Sequence, residues 1–437
     1  MEKRQRNLAV SRHFWVLAHR WVGLSIAGFL IVVGLTGSLL AFLPELNHAL
    51  TPHLFPAARS APALGLGELA LAAQALMPQA EVKTVYIDTS GSALIGVKPK
   101  TDPKTGKPYE LGANQLILDS ATGRERGRRT VGKEELPTGL ENLMPFIYHL
   151  HFGLSLGKTG NVVLGIVALL WTVDCFVAFY LTLPAGRKNR SGRSGRPMAT
   201  PNGTAGNALL TQEQSRSFWH RWKPAWLVKW TASRYRINFD LHRAGGLWLW
   251  TLLLIFAWSS VSFNLHKEVY EPFMRIFFDL PPLEKPAKRS LQPGAVALGW
   301  REAQSVAERL MREQAEIHGF SVEEPIALYR QAELGRYHYR VRSSLDVQQK
   351  NSITALYFDL YSGQLQHLHL PTTQHSGYTV SAWLKALHEG DVFGLPYRIF
   401  VSVAGLAIVM LSVTGVIIWL RKSRARKIHL ERGVRSA

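Results

Sequence analysis

Four stretches of this chain stay apolar far longer than a globular core requires. From Trp21 to Pro44 there is no charged residue. Between Arg243 and Lys267 lie 23 uncharged residues, and between Arg398 and Arg421 another 22. The run from Asn161 to Pro184 holds a single charge, Asp174. About 20 apolar residues cross the hydrocarbon core of a bilayer as a helix, and in lipid a helix satisfies its own backbone. The pattern predicts four transmembrane helices, each unbroken midway. The first run is too long for a signal-peptide h-region and lacks a small-residue cleavage site, so it is expected to be retained.

Between the spans the pattern is that of folded, half-polar segments. "GELALAAQALM" and "REAQSVAERLMREQAEI" read as helices, "YHYRVR" from Tyr337 alternates as a strand does, and "LILDSATGRE" and "YFDLYSGQLQ" read as hairpins. This order occurs twice, and so do two motifs. "HRWVGL" at His19 returns as "HRAGGL" at His242, each opening a span; "LHFGLSLG" from Leu150 returns as "LHEGDVFG" from Leu387, each preceding one. Such self-similarity marks an internal duplication, with halves of roughly 11–190 and 235–427. The expected fold class is membrane α-helical: four transmembrane helices from an internal duplication, with two α+β external domains. The expected segments are 1–43 (N-terminus and first span), 44–142 (first external domain), 143–184 (HxG motif and second span), 185–239 (basic loop), 240–266 (third span), 267–380 (second external domain), 381–420 (HxG motif and fourth span) and 421–437 (basic tail).

Charge orients this arrangement. The net charge is +20, and the first 20 residues, the stretch 184–243 and the tail after Leu420 carry +4, +10 and +6 of it. By the positive-inside bias both termini and the middle loop are expected in the cytoplasm, and the two large loops outside. The cations hug the membrane ends and no nucleic-acid motif accompanies them, so nucleic acid is not an expected partner. Membrane lipid is. Trp219, Trp222, Trp226 and Trp230 recur among Arg216, Arg221, Lys223 and Lys229, which predicts an amphipathic helix in the inner interface, limited by Pro224.

The single cysteine, Cys175, excludes an intramolecular disulfide, an all-cysteine iron–sulfur cluster and a C-x-x-C-H haem attachment. Among sixteen histidines, four fall on the repeated motifs: His19 with His242, and His151 with His388. In the expected topology the first pair lies near the inner face and the second near the outer. Two histidines facing each other across a helix bundle can ligate an iron porphyrin from both sides. Arg20 and Arg243, each next to its histidine, offer cations to the propionates. Gly23, Gly28, Gly34, Gly37, Gly245 and Gly246 leave room for a flat ring or for close helix packing. Two haems, one per face, would make an electron path across the bilayer. His149 is the alternative to His151 as a haem ligand. A histidine-only zinc or copper site is the rival, to which His149 adds a ligand beside His151. Asp174 is costly inside a span; proton movement coupled to electron transfer and a hydrogen bond to a neighbouring helix are both open to it.

"HRWVGL", "NFDLHRAGGL", the repeated L-H-x-G and the paired loop segments resemble the PepSY-associated transmembrane proteins over nearly the whole chain. The resemblance implies an iron-regulated bacterial inner-membrane protein of the ferric-siderophore reductase kind, holding two b-type haems on His19, His242, His151 and His388. It also implies external PepSY domains at roughly 60–130 and 295–370. One departure stands out: the second span reads "VDCFVAFYL" where the fourth reads "VTGVIIWL". No G-x-G-x-x-G follows a strand, so the electron donor is expected to be another molecule, a quinol or a cytoplasmic reductase. Two non-redox readings compete: a membrane-held regulator of an external peptidase, and a transporter subunit.

Overall fold

The computed structural model describes residues 12–56, 61–132, 137, 139–184, 217–281 and 296–435. The N-terminal cations before Arg12, and most of the basic loop with Arg216, lie outside the described residues. The chain forms two compact units. One holds 1–34, 167–257 and 406–437; the other holds 35–166 and 258–405.

Among the described residues three helices are long and apolar enough to cross a membrane: α1 (Arg12–Leu40), α5 (Gly157–Thr182) and the stretch Gly394–Arg426 of α11 (Gly394–Arg435). Helix α5 shows why these belong in lipid. Its buried face carries Leu164, Val167, Ala168, Trp171, Asp174 and Cys175, while its outward face carries Val162, Ile166, Leu170, Val173, Phe176 and Tyr180, all exposed. A helix apolar on both faces is unsuited to water. Asp174 lies on the buried face, 8% exposed.

The third apolar run departs from expectation. It is not one straight span but a bent pair, α7 (Arg234–Trp248) and α8 (Trp250–Asn264), meeting at 68°. At Leu249 the backbone leaves the helical region (φ −99°, ψ 1°). Two indoles flank the break and are held by different elements. Trp248 Nε1 donates to the Trp226 carbonyl at 3.1 Å, and Trp250 Nε1 donates to the Cys175 carbonyl at 2.9 Å. With the bent pair counted as one, the described residues hold up to four helices able to span a membrane.

The segments between the spans form one shared sheet rather than the two separate domains expected. Strands β1 (Ala80–Ile87), β2 (Ser92–Pro99), β3 (Gln115–Asp119) and β4 (Glu125–Arg129) come from the first half. Strands β5 (Val322–Gln331), β6 (Arg336–Ser343), β7 (Ala355–Asp359) and β8 (Leu365–His369) come from the second. All eight form one antiparallel sheet in the order β4-β3-β2-β1-β5-β6-β7-β8. The halves join where β1 meets β5, with Thr84 opposite Tyr329 and Tyr86 opposite Ala327. Each half alone would leave β1 or β5 as an open edge, and an unpaired edge is a liability that pairing removes.

One face of the sheet is covered by α3 (Leu66–Leu76) and α9 (Trp300–His318), one helix from each half. Leu66, Leu69, Leu116, Leu118, Leu328, Tyr337, Leu356 and Phe358 are fully buried between them. The helices approach so closely that a Cβ on Gly67 would stand 2.7 Å from the Trp300 carbonyl oxygen.

The HxG motifs lie on helices of their own. Helix α4 (Leu143–Gly153) carries His149 and His151 and stops at Leu154, which adopts a left-handed φ of 54°. Helix α10 (Ser376–Glu389) carries His388 and stops at Gly390, φ 67°. Each helix is followed by a short turn and then a span.

Candidate functional site

The four motif histidines form two pairs, one in each compact unit. The rings of His19 on α1 and His242 on α7 have centroids 6.1 Å apart. Those of His151 on α4 and His388 on α10 are 6.2 Å apart. In each pair one histidine comes from each half of the chain.

Each ring is held through Nδ1. His19 Nδ1 lies 2.9 and 3.0 Å from the two oxygens of Asp174. His242 Nδ1 lies 3.0 Å from the Leu411 carbonyl and 3.1 Å from Thr414 Oγ1. The Thr414 hydroxyl donates to its own helix at Met410, so it accepts from the imidazole. His151 Nδ1 is 3.0 Å from Thr36 Oγ1, and His388 Nδ1 is 2.6 Å from Ser259 Oγ. A carboxylate or carbonyl can only accept, so His19 and His242 donate from Nδ1. In the neutral ring this leaves the lone pair on Nε2. Metal-ligating histidines are usually oriented through such an Nδ1–H donation.

Glycines shape the surroundings. A Cβ on Gly37 would lie 2.9 Å from Cε1 of His151, and one on Gly415 would lie 3.1 Å from Cε1 of His242. These glycines admit the ring edges against the helix backbone. Gly23 and Gly246, each four residues after the histidine of its H-R-x-x-G-L motif, are different: a Cβ at either would meet no atom within 4 Å. Gly28 is equally open, whereas Gly245 approaches Met410 at 3.3 Å.

The two arginines are not equivalent. Arg20 is half-buried and has no ion-pair partner among the described residues. Arg243 is committed to its own helix and its neighbour. It pairs with the buried Asp240 at 2.9 Å, donates to the Pro224 carbonyl and stacks over Phe239. His149 points elsewhere than His151: its ring stands beside Gly132 rather than against His388.

The tryptophan-rich segment forms not one amphipathic helix but a short helix, α6 (Phe218–Trp222), followed by a 3-10 turn over Lys223–Trp226 containing Pro224. Trp222 is buried with Ala225 and Leu247, while Trp219 and Trp230 are exposed.

Thr36, Ser259 and Thr414 are the residues that the motifs alone did not single out. Two of them were readable. Thr36 stands seventeen residues after His19, and Ser259 stands seventeen residues after His242. A hydroxyl at the same distance from both repeated histidines is a signal of shared duty.

Among the described residues no group of three or more His, Cys, Asp or Glu side chains is placed to hold a metal ion. The model of the PepSY-associated TM region matches residues 16–422. The chain belongs to this family. No curated protein sequence matches it. As a member of the PepSY-associated TM family, with apolar helices that can span a bilayer, it is a multi-pass membrane protein.

Proposed function

We propose that this protein is a di-haem b oxidoreductase of the bacterial inner membrane that carries electrons outward to reduce a ferric siderophore, releasing its iron. The observation that carries this reading is the two histidine pairs, with ring centroids 6.1 and 6.2 Å apart and each ring oriented through Nδ1. Rings at this spacing, each with Nδ1 already engaged, would offer their remaining nitrogens to one haem iron between them. His19 and His242 would hold one haem, His151 and His388 the other. Such a group, when bound, supplies a one-electron couple. Asp174, Leu411, Thr414, Thr36 and Ser259 fix the rings, and the room at Gly23 and Gly246 suits a flat apolar ligand one helical turn from each histidine. Arg20 is the cation available to a propionate; Arg243 reaches one only by sharing with Asp240. A zinc or copper ion fits less well, since each pair offers two close ligands and such sites need three or more.

The clustering of cations at 1–20, 184–243 and after Leu420 supports a cytoplasmic side for the His19–His242 pair. The donor is then a quinol or a cytoplasmic reductase. The direction is tested in liposomes of known orientation, with the haem-loaded protein pre-reduced and a ferric siderophore added to one side. Faster re-oxidation from the side of the sheet domain supports the reading. Re-oxidation only from the side of the basic loop reverses it. A purified protein that binds no haem leaves the regulator of an external peptidase as the better account.

A further inference from the structure

The contacts that hold the four rings differ in one respect. Three end on neutral oxygen: the hydroxyls of Thr36 and Ser259, and the Leu411 carbonyl with Thr414. The fourth, from His19, ends on the carboxylate of Asp174, with both oxygens within 3.0 Å. The duplication makes this a substitution rather than an unrelated feature. Asp174 stands in "VDC" and Thr414 in "VTG", each in the second span of its half. Each contacts the H-R-x-x-G-L histidine of its own half. Among the described residues no lysine or arginine pairs with Asp174; His19 is its partner.

We propose that Asp174 is a positioning residue that makes the His19–His242 site the more reducing of the two, so that electrons run from there to the His151–His388 site. This rests on the haem reading above. A carboxylate accepting the Nδ1 proton pushes electron density onto the imidazole, and Nε2 becomes a stronger donor. A stronger donor favours the ferric state and lowers the potential. The effect is large inside a span, where little solvent screens the charge. Hydroxyl and carbonyl acceptors are neutral and do less. One quinol gives up two electrons and two protons at the first site. The electrons leave the second site one at a time, each reducing one Fe³⁺ chelate to Fe²⁺.

The test is an optical redox titration of the purified full-length protein and of Asp174→Asn, which keeps an acceptor oxygen and removes the charge. The unaltered protein is expected to titrate in two steps, the lower belonging to the haem that His19→Ala loses. Asp174→Asn is expected to raise that step alone and narrow the gap. Adding Thr414→Asp puts a carboxylate on the other ring and is expected to lower it again. A fully loaded Asp174→Asn whose lower step does not move overturns the assignment, as does a lower step belonging to the His151–His388 haem. Should Asp174→Asn not bind haem, Thr414→Asp alone decides: a further lowering supports the proposal, and no shift overturns it. A wild-type preparation without haem overturns the underlying haem reading instead, so the two failures are distinguishable.

Discussion

The two halves of this chain meet in two ways. In the sheet they meet through backbone: β1 and β5 pair edge to edge, and α3 and α9 bury one shared apolar core. Among the helices they meet through side chains: each histidine pair takes one ring from each half. A backbone seam tolerates any side chain that fits, since its hydrogen bonds are generic. On the haem reading, a histidine pair tolerates no other side chain. Changes in the sheet should therefore cost stability, and changes at the histidines should cost the cofactor.

The largest effect expected is all-or-none. His19→Ala or His242→Ala should halve the haem per chain and leave the other haem's spectrum unaltered, and His151→Ala or His388→Ala should do the converse. His149→Ala should leave both, since its ring stands beside Gly132. Absorbance per chain measures this. Loss of a haem in His149→Ala would mean that the ligand on α4 is misassigned.

The next effect belongs to the sheet. Leu328, fully buried at the β1–β5 seam, should cost about 2–5 kcal/mol when cut to alanine. Thermal unfolding of the sheet would show it, with the haem spectrum of the surviving folded protein unchanged. A Leu328→Ala protein of normal stability that lacked haem would break the division between the regions.

A smaller effect follows from the glycines. Gly37→Ala puts a Cβ 2.9 Å from His151 Cε1, so it should perturb the spectrum of the His151–His388 haem only. Gly415→Ala should do the same, more mildly, for the His19–His242 haem, where the approach is 3.1 Å. The reverse assignment in the spectra would contradict the pairing.

The sheet also carries its own pH dependence. Burial, with Arg340 and Arg336 nearby, lowers the pKa of His338 to about 3. Burial, with His367 nearby, lowers that of His369 to about 4. Both rings are neutral when folded, and the unfolded chain takes up their protons near pH 6.5. Their contribution is fully present above that pH and is lost as pH falls from about 6.5 toward the folded values. The thermal midpoint of the sheet should drop between pH 7 and pH 5, and less so in His338→Phe. An equal drop in that variant would remove His338 from the cause. Smallest of all is the ion pair of Arg398 with Glu45, whose carboxylate is 53% exposed. Glu45→Gln should change stability by about 0–1 kcal/mol.

The sequence made the histidine pairs legible because a duplication repeats its chemistry at fixed spacing, and the rings of His19 and His242 do meet. It also announced the spans, because an absence of charge is a strong signal. It could not announce the bend at Leu249, since an uncharged run reads the same straight or bent. The joined sheet was hidden for a related reason. Alternation shows which face of a strand is buried and says nothing of which strand lies beside it, so β1 against β5 was not readable. The engagement of Arg243 is readable in the sequence: Asp240 stands three residues before it, at a spacing that brings helix side chains together.

The central claim is that each histidine pair holds one haem. The most direct measurement is the haem content of the purified full-length protein, from its absorption spectrum and its protein concentration. The account predicts a b-type spectrum and two haems per chain. A colourless protein from haem-replete cells, or a haem of the same spectrum left in both His19→Ala and His151→Ala, would contradict it.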